Sequence, residues 1–226
     1  MKIIAINGSP RKKGNTATLC EEFLKGAKSV RPDVETEIIN LYELNYTGCK
    51  SCFACKRTQG NTYGTCIIPD DLQKIIDRIS TADGIVLGSP IYFGDITGQM
   101  RCFLERLLFP YVTYETGYKT IAPKRMPTAI IYTMNVTEEI MKQFQYDTRI
   151  SHMEGIIERV FSKPQVYYGY NTYQFDNYNN YKVEVFSESD KAEYKQLQFP
   201  RECQRAFNGG IAMIKQISEG FSSNHI

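Results

Sequence analysis

Charge of one sign is scarcely in excess: 27 lysines and arginines stand against 25 aspartates and glutamates, a formal net charge of +2. That balance excludes a globally basic surface for nucleic acid or an anionic membrane. It gives no sign of the strongly acidic face by which electron carriers steer toward protein partners, so any charge effect is local. Long hydrophobic runs are missing too. No stretch reaches 18 apolar residues, so no segment is expected to cross a bilayer. Ile3-Ile4-Ala5-Ile6, after Met1-Lys2, is too short for a signal-peptide core and runs at once into Gly8-Ser9-Pro10. The expected location is the cytoplasm. Histidine is scarce. His152 falls on an expected helix as a packing or surface residue and His225 in a terminal tail, so neither is read as a catalyst.

Two nucleotide-binding signatures are absent as well. Five residues rather than four separate Gly8 from Gly14, and no Lys-Ser/Thr pair follows, which excludes an ATP- or GTP-binding P-loop; the Rossmann G-x-G-x-x-G does not occur. Seven cysteines without an export signal argue against a disulfide framework and for thiol, metal or redox chemistry.

What is present is an alternation of short apolar runs with helical periodicity, the pattern of a parallel sheet covered on both faces. Strands are expected at Lys2 to Asn7, Glu37 to Leu41, Asp83 to Gly88, Pro127 to Thr133 and Gln165 to Tyr170. Helices are expected from Asn15, from Asp70-Asp71, from Thr97, over Thr137 to Phe161 with an interruption at Gly155, and over Gly209 to Ser218. We read one α/β domain over 1–226. Its core covers about 1–170, and a tyrosine-rich extension with a C-terminal helix covers 171–226. The tyrosines at 167, 168, 170, 173, 178 and 181, with Phe175, are read as a packed loop or edge hairpin, or as lining for a pocket or subunit interface.

Chemistry concentrates in two loops. Strand one runs directly into Gly8-Ser9-Pro10-Arg11-Lys12-Lys13-Gly14-Asn15-Thr16 and then a helix. Such a junction aims backbone N–H groups and the positive dipole end at one spot, suited to a phosphate. Ser9, Asn15 and Thr16 add hydrogen-bonding side chains and Arg11 a cation. Strand three ends in Gly88-Ser89-Pro90-Ile91-Tyr92-Phe93-Gly94-Asp95-Ile96-Thr97, where Tyr92 and Phe93 offer flat apolar surface and Gly94 allows close backbone approach.

These two loops, with a cysteine segment between them, resemble in order and content the NADPH-dependent FMN reductases and iron-sulfur flavoproteins of the flavodoxin-like superfamily, over roughly residues 1–135. The resemblance implies a doubly wound five-stranded parallel sheet of order 2-1-3-4-5 with helices on both faces. It implies FMN, its phosphate held by Ser9, Arg11, Asn15 and Thr16 and its ring framed by Pro90, Ile91, Tyr92, Phe93 and Gly94. Thr133, Met134 and Asn135, which lack the glycines common in the family, would make a third cofactor loop. Asp95 and Gly98 also depart from the family's usual residues. The implied activity is that of an NAD(P)H-dependent FMN oxidoreductase, passing a hydride from the nicotinamide cofactor through FMN to a quinone, an aromatic or a flavin. No catalytic side chain is required, since the flavin carries the chemistry. The alternative is an FMN electron-transfer protein, with or without an iron-sulfur centre, fed by a protein partner. Expected partners are the nicotinamide and a small acceptor, not nucleic acid or membrane, within a homodimer or homotetramer.

Cys49, Cys52, Cys55 and Cys66 form a C-x₂-C-x₂-C-x₁₀-C array. They are the ligand set if a 4Fe-4S cluster is held, but the long last spacing, ten intervening residues, favours reduced thiols packed beside the pocket or at a subunit contact. No metal is expected there.

Overall fold

The computed structural model describes residues 1–221; His225 lies outside them. Strands β1 (Lys2–Asn7), β2 (Glu35–Asn40), β3 (Gly84–Tyr92), β5 (Thr128–Thr133) and β6 (Gln165–Gly169) form a parallel sheet of order β2-β1-β3-β5-β6. With the arm β4 (Asp95–Ile96) set aside, this is the expected flavodoxin-like order. The sixth strand, β4, pairs antiparallel with the end of β3, Tyr92 opposite Asp95. It went unforeseen because two residues carry no alternation to read. Strand β3 is correspondingly longer than expected, continuing through Ser89-Pro90-Ile91 to Tyr92.

Alternation along each central strand builds two cores, because successive side chains point to opposite faces. Ile3, Ala5, Val86, Ala129 and Ile131 pack with helices α1 (Asn15–Val30) and α7 (Phe199–Ser218). Ile4, Ile6, Ile85, Leu87, Ile130 and Tyr132 pack on the other face with α2 (Asp71–Ser80), α3 (Gly98–Leu108) and α5 (Tyr146–Val160). Asp70 caps α2, its carboxylate accepting from Leu72 N–H, and Thr97 caps α3 by accepting from Met100 N–H.

Three expectations are corrected. The helical stretch after Thr137 breaks at Phe144-Gln145, not Gly155, giving α4 (Glu138–Gln143) and α5. Gln145 takes the left-handed conformation (φ 56°), and Phe144 stacks on Tyr146 across the break, whereas Gly155 stays helical with open space beside it. The last helix begins at Phe199 rather than Gly209, with Pro200 in its first turn, where the missing N–H costs nothing. Helix α6 (Glu188–Leu197) was not foreseen. It has no apolar stripe, and its buried residue is Lys191. No described helix is long and apolar enough to cross a membrane.

Candidate functional site

Parallel strands all deliver their ends to one edge, and β1, β3 and β5 bring three sequence-distant loops together there. The first loop is fixed to the second by backbone and side chain. Gly8 N–H donates to Gly88 O at 2.7 Å, and the Thr97 hydroxyl donates to Gly8 O at 2.9 Å. Ser89 Oγ accepts from Thr97 N–H at 3.1 Å. The first loop meets the third through Thr16 and Thr133, whose buried hydroxyls lie 2.7 Å apart. A side chain at Gly88 would meet Cys20 Sγ at 2.5 Å and the Thr16 methyl at 2.9 Å, so the closeness of loop and strand depends on that glycine.

Within the first loop, Asn7 Oδ1 accepts from Ser9 N–H and Ser9 Oγ accepts from Arg11 N–H. Ser9 is buried and Arg11 exposed. The cap of α1 is Gly14, without a side-chain acceptor, so the N–H groups of Asn15, Thr16 and Ala17 have no intrahelical partner. Asn15 is the first helical residue rather than the cap. Its side-chain amide donates to Tyr173 O at 3.2 Å, and Arg11 donates to Gln174 O. The tyrosine-rich segment therefore lies across the first loop. It packs on itself, Tyr173 and Phe175 against Tyr178 and Phe175 stacked on Tyr181, as a packed loop should.

The second loop is a tight hairpin, Phe93 and Gly94 both taking positive φ (53° and 79°) between Tyr92 and Asp95. Phe93 is fully exposed in a conformation unusual for an aromatic residue, while Tyr92 is half exposed and Pro90 and Ile91 half buried. Asp95 is engaged elsewhere, paired with Arg101 at 2.6 Å. In the third loop Thr133 and Met134 are buried and Asn135 half buried. Lys191, 1% exposed, donates to Asn135 O, to Asn171 Oδ1 and to Thr172 O, tying the chain after β5 to the chain after β6. The structure thus brings together the first-loop, second-loop and third-loop candidates. It adds Lys191, which the sequence did not mark, and gives Ser89 and Thr97, quoted in the second loop without a role, the task of joining the loops. His152 is exposed on α5, away from any such role.

A second feature lies at the last turn of α3, where Glu105 and Arg106 line it. Cys49, Cys52, Cys55 and Cys66 line one cavity of about 20 Å³, walled otherwise by Phe53, Ile67 and neighbours. Burial pushes the Cys55 thiol up, the Lys56 charge opposes it, and the sulfurs of Cys66, Cys49 and Cys52 push it further up. Lys56 is pinned by the carbonyls of Phe109, Pro110 and Val112 and sits 4.4 Å from the Phe109 ring centre. Ser51 and Phe53, flanking Cys52, both take positive φ (51° and 55°). Among the described residues no three such ligands converge on a single ion's position. A tetrahedral zinc, with bonds of about 2.3 Å, would need sulfurs about 4 Å apart.

Three comparisons with known proteins bear on these sites. The family model for NADPH-dependent FMN reductase matches residues 1–161. An iron-sulfur flavoprotein of Methanocaldococcus jannaschii is 40% identical over 106 residues, 47% of this chain and 51% of its own. An NAD(P)H-dependent FAD/FMN reductase of Geobacillus thermodenitrificans is 31% identical over 103 residues, 45% of this chain and 48% of its own. The chain thus spans about half the length of these curated relatives. In structure, an NAD(P)H:quinone oxidoreductase from Methanothermobacter marburgensis superposes with a TM-score of 0.67 over 93% of this chain and 98% of its own, at 13% identity, a likeness of fold.

Proposed function

The chain belongs to the NADPH-dependent FMN reductase family, and from that membership we propose that it binds FMN where the three loops meet and passes a hydride from NADH or NADPH to a small acceptor. Quinones, azo or nitro aromatics and free flavin are the acceptor classes of this reading. The observation that carries it is the convergence of the three loops through Thr16, Thr133, Thr97 and Gly8.

In this reading the free N–H groups of the first turn of α1, with Ser9 and Thr16, receive the phosphate. Arg11 turns from Gln174 O to add a cation, and Asn15 turns from Tyr173 O. Pro90 to Gly94 frame the ring, the exposed Phe93 supplying an apolar face, and Thr133 to Asn135 close the third side. FMN held there would supply the two-electron redox chemistry. The protein orients it and excludes water. No magnesium is required, since backbone N–H groups and Arg11 meet the phosphate charge. The carrier alternative, in which a partner protein feeds the flavin, is not favoured by a family of NADPH-dependent reductases.

The test is a binding titration followed by rapid mixing. FMN should bind far more tightly than riboflavin, and NADH or NADPH should bleach the bound flavin in one two-electron step that a quinone reverses over repeated turnovers. Equal affinity for FMN and riboflavin, or no bleaching by either nicotinamide, would refute the reading.

A second element is favoured by the cysteine cavity. Four thiols lining one hollow suit a 4Fe-4S cluster in kind and number. Such a centre would carry single electrons between the flavin and an acceptor. Iron and acid-labile sulfide analysis of anaerobically purified protein, near four of each per chain or near none, decides it.

A further inference from the structure

The largest fully buried side chain of the described residues is a cation, Arg106 on α3, 1% exposed. A guanidinium carries five N–H groups in a fixed fork, and here each has a partner. One terminal nitrogen donates to Asp70 Oδ2 at 2.8 Å and Thr47 O at 3.0 Å; the other donates to Asp70 Oδ1 at 3.1 Å and Ile68 O at 3.3 Å. The fifth donor, Nε–H, points at Cys66 Sγ at 2.9 Å. Four contacts therefore lock the fork, and the remaining one is aimed at a sulfur that lines the cysteine cavity. The preceding residue of the same helix, Glu105, accepts from Cys49 N–H at 3.1 Å. Adjacent residues of α3 thus hold the first and the last cysteine of the array, Cys49 and Cys66.

We propose that Arg106 is a positioning residue for the cysteine site: it anchors Cys66 as the fourth ligand and, through its N–H···S hydrogen bond, raises the reduction potential of a 4Fe-4S cluster held there. The proposal rests on the cluster reading above. An N–H donated to a ligating sulfur withdraws electron density and favours the more electron-rich, reduced cluster, one of the ways a protein sets such potentials. Because Asp70 balances the guanidinium charge, the hydrogen bond is what distinguishes Arg106 from a neutral pair. The anchoring follows from rigidity: Cys49, Cys52 and Cys55 come from one short segment, whereas Cys66 arrives after Gly60 and Gly64, both at positive φ, and Arg106 is what fixes its sulfur.

The experiment compares wild type with Arg106→Lys and with the charge-neutral double variant Arg106→Met/Asp70→Asn. The latter leaves no buried unpaired charge and keeps an asparagine able to cap α2. Each protein is treated anaerobically with ferrous iron and sulfide. Iron and FMN per chain are then counted, and cluster and flavin potentials are read in one dye-mediated titration, the cluster by electron paramagnetic resonance. FMN content reports the fold. The expected result is a cluster potential shifted negative in both variants with the flavin potential unmoved, and faster loss of iron to a chelator. Loss of iron with FMN retained would equally support the anchoring. If Arg106→Lys fails to fold, the double variant decides. Variants that hold four irons at the wild-type potential and release them at the wild-type rate would overturn the proposal and leave Arg106 a structural residue. A wild type that takes up FMN but no iron would sink the cluster reading and this proposal together, leaving the flavin reading standing.

Discussion

At the scale of single residues, burial decides which changes report on the site and which on the fold. Arg11 is exposed and touches the rest of the protein through one carbonyl, so replacing it by Gln should leave stability unchanged. It should weaken FMN by about 1–3 kcal/mol, the range for a hydrogen bond to a charged group. Thr16→Val should cost a similar amount and also lower stability by about 1 kcal/mol, because the buried Thr133 hydroxyl loses its partner. Calorimetric titration beside thermal unfolding separates the two effects. Glu202 on α7 offers a test by pH. Burial pushes its carboxyl above the usual range, against the opposing hydrogen bonds from Tyr194 OH and Tyr170 N–H, and its second oxygen has no partner. The native state therefore keeps a proton that the unfolded chain has already lost. Stability falls as pH rises from the unfolded value, about 4.3, through the raised folded one. Glu202→Gln should melt above wild type at pH 8, with the gap closing toward pH 4; a gap constant with pH would mean that Glu202 is not buried with its proton.

Among the elements, the contact between α1 and α7 gives the clearest prediction. The two helices touch backbone to backbone, since a methyl at Gly26 would lie 1.8 Å from Phe207 O and one at Gly210 would lie 1.9 Å from Phe23 O. Neither obstacle is a side chain that can swing aside. Gly210→Ala should cost about 2–3 kcal/mol by overpacking and lower Tm by about 5–10 °C, without changing FMN affinity in the folded fraction. An unchanged Tm would mean that the helices sit farther apart. The same scale explains what was legible beforehand. The strands could be read because β1, β3 and β5 are continuous apolar runs between turn residues, and the two central loops because glycine, serine and proline cluster where those runs end; the strand order came only through the family resemblance of those loops. Helix α6 could not, because the residue it buries is Lys191, held by two backbone carbonyls and an asparagine, and no hydrophobic pattern reports a buried ammonium. Burial brings that ammonium down to about 8. The break at Gln145 was hidden for a related reason, since a left-handed glutamine leaves no mark in the sequence whereas Gly155 draws attention and stays helical.

For the molecule as a whole, α3 connects the two chemistries. Its cap, Thr97, holds the first loop at Gly8, and Arg106, nine residues on and about 13 Å along the axis, holds Cys66. A sequence shows both motifs but not that one helix spans them. The sheet edge is also a closed assembly, with loops from β1, β3 and β5 joined by hydrogen bonds and the segment after β6 laid across the first. A ligand that bridges these loops binds only the folded chain, so it must stabilise the whole domain by RT ln(1 + [L]/Kd). FMN at one hundred times its Kd should add about 2.7 kcal/mol, which for a chain of this size raises Tm by about 5–10 °C. Riboflavin at the same concentration, lacking the group that α1 and Arg11 would receive, should raise it far less. Hydrogen exchange should slow together at 8–16, 88–97, 133–135 and 173–174 when FMN binds, because these segments share one ligand. Slowing at the first three alone would mean that the tyrosine-rich segment merely rests on the phosphate loop, and an unmoved melt in saturating FMN would mean that the meeting of the loops serves some other end.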